Sequence, residues 1–389
     1  MEYSQQSTPP TIPLIRPLQP IADRLTGPDA LRGLVILLMA LDHVRYFWFK
    51  PGFSPTDLEH TWPALFFTRW ITHLCAPTFI FLAGMGAALY PQRRAVSRPG
   101  LAGYLLSRGL WLILLEMTWN SYFWTLQWQT LELQVLWALG GSMIILSGLI
   151  FLPRGWIAVL ALVGIAGHDL LNGIEPARFG QLAWLWQILH VEGLIDSPLP
   201  GLLPRWFVIY PLLPWFNVMA LGYAVAPWLQ RPAAQTNHTL VLTGGLLLLA
   251  FTGLRFFNQY GEATAWHVQP RGELFTWMSF LNLSKYPPSL LYLLATLGLM
   301  CWLLAALGQG RSLVHRTLLL FGRVPLFFYL LHIPLIHGLA SVWKTFAGPA
   351  ITLPGCYLIG LLVVVLLYFP CLWFARVKMR AKGGWTGYF

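Results

Sequence analysis

The sequence predicts an all-α fold: a polytopic integral-membrane helical bundle of about ten transmembrane helices, with the N- and C-termini cytoplasmic. Three observations carry that reading. Apolar residues make up 57% of the 389-residue chain and charged residues only 10%, against ~25% charged in soluble domains. The apolar residues come in runs near the ~20 residues needed to cross a bilayer. Lysine and arginine gather in the connections on the side of the N-terminal tail, and short basic loops stay cytoplasmic. The net charge of +11 therefore reports topology, and no nucleic-acid partner is expected.

Taken in order, residues 1–23 are polar and proline-rich, lack the apolar run of a signal peptide, and read as a disordered cytoplasmic tail. A transmembrane domain follows over 24–380. Its first span, 33–49, is short and interrupted by Asp42, His43 and Arg45. The second, 70–90, contains Phe81-Leu-Ala-Gly-Met-Gly-Ala-Ala88, whose small residues permit close helix contact. The third, 101–119, carries Glu116, one turn before Asn120. Spans 133–152 and 155–171 are almost wholly apolar. The connection 172–205 contains Trp184 and Trp186, and its segment 179–191 suits a short helix lying at the membrane interface. Spans 206–228 and 239–257 precede a second long connection, 258–286. Lys285-Tyr286-Pro287-Pro288 opens the span 287–308; 318–342 contains Tyr329, His332 and His337; 352–375 completes the set, with 381–389 as a second cytoplasmic tail. Cys75, Cys301, Cys356 and Cys371 show no CxxC spacing and read as free apolar thiols, neither a disulfide framework nor a metal site.

Ionisable groups at bilayer depth are costly and by default functional, so the polar residues inside these spans are the candidates. Under this topology His43, His73, His332, His337 and Lys285 share the outer half of the membrane, and His60 lies in the outer loop beside them. Asp42 and Arg45 are three apart and share a helix face, which suits mutual neutralisation. Asp42 and His43 are adjacent and cannot face one another, so His43 needs a partner from another helix. His332 and His337 sit about 140° apart around their helix, and His332 is favoured over His337. His73 reads first as a helix-to-helix contact, and Glu116 with Asn120 as a structural pair.

Three separated blocks add a resemblance. Pro28-Asp-Ala-Leu-Arg-Gly-Leu-Val-Ile-Leu-Leu-Met-Ala-Leu-Asp-His43, His73-Leu-Cys-Ala-Pro-Thr-Phe-Ile-Phe-Leu-Ala-Gly84 and Phe321-Gly-Arg-Val-Pro-Leu-Phe-Phe-Tyr-Leu-Leu-His332 resemble bacterial members of the heparan-α-glucosaminide N-acetyltransferase catalytic family. The resemblance is strong over 24–90, supportive over 282–338 and weak between. It implies a multi-helix membrane enzyme that takes an acyl group, typically acetyl, from cytoplasmic acyl-CoA and delivers it to a sugar amine or hydroxyl on the far side. It also implies a catalytic histidine near the first two spans. Lysosomal members carry an Asn near the end of the first span and a His in the following loop. This chain has Asp42-His43 at the span end and His60 in the loop.

The residue types suit that chemistry. A neutral imidazole can deprotonate an amine or hydroxyl, or carry the acyl group transiently. Asp42, His43, His60, His73 and His332 are the catalytic candidates. Arg45, Arg69, Glu116, Asn120, Lys285, Tyr286 and Tyr329 are the substrate-binding ones, with Arg45 or Lys285 available to an oxyanion. Arg24, Arg32, Arg93 and Arg94, with Asp29 beside them, are placed to meet the phosphates of acyl-CoA (acetyl-CoA) as co-substrate. No metal or haem is expected. The expected partners are membrane lipids, a glycan or glycolipid acceptor, and a second copy in a homodimer. Two rival classes use the same features: a multi-pass transporter with an intramembrane polar pathway, and a b-type haem carrier ligated by His43 and His332.

Overall fold

The computed structural model describes residues 26–197, 204–308, 310, 312–346, 351–381 and 384–388. The tail over 1–23 and Arg24 lie outside them. Helix α1 (Thr26–Trp48) starts with Pro28 and Asp29 in its first turn, a proline with no N–H to lose and an acid at the positive helix end. After a loop, α2 (Pro63–Ile71), a 3₁₀ turn (Thr72–Leu74) and α3 (Cys75–Arg94) form one kinked span. Helix α4 (Arg98–Leu115) begins at Ser97, whose hydroxyl accepts the Gly100 N–H at 3.3 Å. A π-helical turn (Glu116–Asn120) and α5 (Ser121–Thr125) extend it.

Then come α6 (Val135–Leu149), α7 (Arg154–Gly167), the short α8 (Ala183–His190), α9 (Leu212–Val225), α10 (Ala233–Phe257) and α11 (Glu273–Leu281). Helices α12 (Leu290–Ala306), α13 (Leu313–Arg323), α14 (Pro325–Phe346) and α15 (Leu353–Arg380) close the chain. Among the described residues, seven continuous helical stretches are long and apolar enough to cross a membrane, and Val135–Leu149 and Leu290–Ala306 are shorter apolar helices. With α1, which carries Asp29, Arg32, Asp42 and Arg45, these occupy the ten expected positions. The protein is a multi-pass membrane protein.

Three details differ from the sequence expectation. Residues 206–208 do not begin a span: Arg205–Val208 is a strand, β3, between β1 (Thr130–Leu133) and β2 (Gly193–Ile195). β1 pairs with it in parallel and β2 antiparallel, a pairing of distant segments that no local window reveals. The expected span 318–342 is two helices. The chain breaks at Val324, because Pro325 has no N–H to continue the α13 ladder. The interfacial segment 179–191 holds a 3₁₀ turn before α8, with Trp184 exposed.

Helix α1 packs against α3, α13, α14 and α15. Helices α3 and α9 approach through glycine: a Cβ on Gly84 would overlap the Met219 carbonyl oxygen, so only glycine permits this distance. The sheet lies at one end of the bundle with the loops around Thr56 and Asn282, which are joined by a 3.1 Å hydrogen bond. At the other end, Lys378 donates to the Arg323 carbonyl at 3.3 Å, and the helix ends there carry Arg94, Arg98 and Arg154, with Arg316 in the first turn of α13. These are called the sheet end and the basic end. All four cysteines are free and buried.

Candidate active site

A cavity of about 650 Å³ opens at the sheet end, lined by Asp42, His43, Arg45, Arg69, His73, Lys285, Tyr286 and Tyr329 among others. Helix α1 supplies the first three from its last two turns. The kink between α2 and α3 turns Arg69 and His73 toward the same space. Asp42 accepts a hydrogen bond from Arg45 Nη2 at 2.8 Å, the expected neutralisation, and a second, short one from Arg69 Nη1. One carboxylate thus serves two guanidinium groups.

The partner His43 requires is His332, on α14. His43 Nδ1 lies 2.7 Å from His332 Nε2, and His332 Nδ1 lies 2.6 Å from the Tyr329 carbonyl oxygen. A carbonyl only accepts, so His332 Nδ1 carries a proton. In the neutral ring its Nε2 is then the acceptor, and His43 Nδ1 must be the donor. The chain of assignments leaves the lone pair of neutral His43 on Nε2, a nitrogen with no partner among the described residues. His332 is wholly buried behind it, while His43 is half-buried and lines the cavity. Trp124 meets the His43 ring edge-on at 5.0 Å.

The remaining sequence candidates separate by place. His73 is buried against Tyr292, with ring centroids 5.2 Å apart, and its Nδ1 has no partner among the described residues. His60 sits on an exposed loop outside the cavity lining, 2.7 Å from Asp57. The hydrogen bond from His60, then that from the Glu59 N–H, holds the Asp57 carboxyl below its ordinary range. Glu116 is fully buried beneath the cavity; its Oε2 accepts the Leu136 and Trp137 N–H groups at 2.7 and 3.0 Å, and Asn120 donates to Oε1. That carboxylate ties the π-helical turn to the start of α6. His337 faces away, Nδ1 on the Phe123 carbonyl at 2.9 Å and its ring stacked on Phe47.

A second cavity of about 300 Å³ lies toward the basic end, lined by Arg32, Tyr90, Tyr104, Arg108, Arg323 and Lys378 among others. Arg32 bonds Asp29 and the Leu82 carbonyl, each at 3.0 Å. Arg94 is exposed outside the lining, and the Arg93 side chain lies outside the described structure. Arg108 and Arg323 escaped the sequence reading because both fall inside apolar runs, where loop-cation counting does not look. Phe79, Val135 and Tyr329 line both cavities, so these three side chains stand between the two spaces, beside the histidine pair.

The geometry is a polar cavity holding the His43 imidazole, its Nδ1 on His332 and its Nε2 without a partner among the described residues, with a second, basic cavity behind it. A sequence profile described as heparan-alpha-glucosaminide N-acetyltransferase, catalytic, matches residues 24–256. Curated proteins gave no match. Since the profile spans more than half of the chain and includes α1 with Asp42 and His43, the chain belongs to the heparan-alpha-glucosaminide N-acetyltransferase catalytic family of membrane acetyltransferases.

Proposed function

We propose that the chain is an acyltransferase of the inner cell membrane, with a transmembrane domain over 24–380 and both termini cytoplasmic, so that the basic end faces the cytoplasm. It takes an acyl group, typically acetyl, from acyl-CoA entering the basic-end cavity. It passes that group to a sugar amine or hydroxyl of an envelope glycan or glycolipid in the sheet-end cavity. The observation that supports this reading is that the two cavities are adjacent, with Phe79, Val135 and Tyr329 in the lining of both, next to the His43–His332 pair.

In this mechanism Arg32, Arg108, Arg323 and Lys378 form the basic surround for the donor phosphates. The acceptor amine or hydroxyl approaches His43 Nε2, which removes its proton as the nitrogen or oxygen bonds to the thioester carbonyl carbon. The carbon–sulfur bond then breaks, and the proton on His43 returns to the leaving thiolate, giving the acylated acceptor and free CoA. His332 acts through His43: it fixes the tautomer and accepts the imidazolium proton's hydrogen bond, the role an aspartate plays in a catalytic triad. The cations bound to Asp42 face the space where an oxyanion forms.

The test is acetyl transfer from radiolabelled acetyl-CoA by the purified protein, wild type beside His43→Ala. Wild type is expected to bind and turn over acetyl-CoA, and the variant to bind it while losing roughly 10²–10⁴-fold in rate. A wild-type protein that neither binds nor hydrolyses a short-chain acyl-CoA would sink the reading and leave transport as its successor.

A further inference from the structure

The basic-end cavity carries a set of aromatic rings that the proposed chemistry does not use. Tyr90 of α3 and Tyr104 of α4, both in its lining, lie face to face, with ring centroids 4.0 Å apart and planes 10° from parallel. A third ring comes from the C-terminal end of the chain. Tyr388 stands 6.3 Å from Tyr104, centroid to centroid, with its plane tilted by 49°. Carbon atoms in contact are 3.5–4.0 Å apart, so two rings that hold a third between them stand about 7–8 Å apart. A separation about 1 Å wider, with the planes brought parallel, would make Tyr104 and Tyr388 the two sides of a clamp for a flat ring.

The segment that bears Tyr388 is tied to the cavity itself. It forms a 3₁₀ turn (Gly384–Tyr388). Arg108 Nη1 donates to the Gly387 carbonyl at 2.9 Å, and the Tyr388 and Ser107 hydroxyls lie 3.1 Å apart. Arg108 and Gly387 both belong to the cavity lining. Ser107 and Gly387 are exposed and Tyr104 and Tyr388 half-buried, so these residues form the outer edge of the cavity. Its volume of about 300 Å³ lies at the lower limit of ligand sites, roughly 300–1,000 Å³. That space suits the thioester arm of an acyl-CoA. The nucleotide end adds a ribose, phosphates and a purine, and these extend to the edge where the rings stand.

Building on the acyltransferase reading, we infer that Tyr104 and Tyr388 bind the purine of the donor between their rings, with the C-terminal segment folding over it. Every base offers a π-face to an aromatic side chain, so the clamp asks only for a flat ring at the end of the phosphates. Tyr90 backs Tyr104 and keeps its plane fixed. Arg108, which joins the tail to the cavity lining, stands between the purine and the thioester arm. A tail that merely covers the cavity would have the opposite effect: its removal would tighten donor binding, whereas loss of a clamp weakens it.

The experiment measures equilibrium binding of CoA and of 4′-phosphopantetheine, which lacks the nucleotide, to the full chain in nanodiscs. It compares wild type with Tyr388→Ala and Tyr388→Phe. Tyr388→Ala is expected to raise the Kd of CoA by about 5–150-fold, the worth of one base–aromatic stack, and to leave that of 4′-phosphopantetheine within about twofold. Tyr388→Phe keeps the ring and is expected to stay within about threefold of wild type for both. The fluorescence of 1,N6-etheno-CoA reports the stack directly: binding to wild type quenches it, and binding to Tyr388→Ala quenches it less. A Tyr388→Ala protein that binds CoA as tightly as wild type or tighter, or that loses both ligands equally, overturns the clamp. So does a wild type that binds the two ligands alike. Binding is read without acyl transfer, so a purine clamp in a protein that transfers no acetyl group would refute the acyltransferase reading alone, and a wild type that binds neither ligand removes both.

Discussion

Replacing His332 by phenylalanine tests the histidine relay most directly. The substitution keeps a ring of similar size in a wholly buried position, next to Phe328 with ring centroids 5.6 Å apart, while removing the acceptor 2.7 Å from His43 Nδ1. Leaving a donor unsatisfied costs about 1–3 kcal/mol, and His43 is then free to take the wrong tautomer. Each 1.36 kcal/mol in the barrier is tenfold in rate, so kcat should fall by about 10–100-fold, with acetyl-CoA affinity unchanged. His43→Ala should cost more, roughly 10²–10⁴-fold. The double variant decides the matter. If His332 works only through His43, His43→Ala with His332→Phe should be no slower than His43→Ala alone. Single-turnover acetyl transfer in the four proteins is the assay. Additive losses in the double variant, or a His332→Phe protein with unaltered kcat, would refute the relay.

Three further outcomes are expected. Glu116→Leu should lose about 3–6 kcal/mol of stability, because the Leu136 and Trp137 N–H groups and the Asn120 amide all lose their acceptor in a buried place; thermal unfolding in detergent measures it, and a shift no larger than that of Glu116→Gln would contradict the structural role. Val135→Trp should block the passage that the proposed transfer needs between the two adjacent cavities, cutting acetyl transfer at least 10-fold with donor binding within about threefold of wild type; unchanged transfer would mean the acyl group does not pass there. His60→Ala should leave acetyl transfer within about twofold, since the His60–Asp57 pair is exposed and outside the cavity lining; a large loss of kcat would move the reacting imidazole into that loop.

Composition and apolar run length alone determined that this is a helical, multi-pass membrane protein, because the bilayer demands long apolar segments whatever their neighbours are. The cost of ionisable groups at depth singled out Asp42, His43 and Arg45, helix periodicity paired Asp42 with Arg45 and separated His332 from His337, and the position of His337 toward the interface favoured His332. Three matching blocks were enough to recognise the family. What sequence spacing could not reach were relations between distant segments: the partnership of His43 with a residue 289 positions away, the second claim of Arg69 on Asp42, and the strand pairing of Thr130–Leu133 with Arg205–Val208. The basic-end cavity was missed in part for a related reason. Arg108 and Arg323 look like stray charges inside apolar runs until packing turns them toward one space. Local periodicity sets which face of a helix a side chain occupies; only the packed bundle decides which faces meet, and the tautomer of His43, on which the proposed chemistry depends, is a property of that meeting.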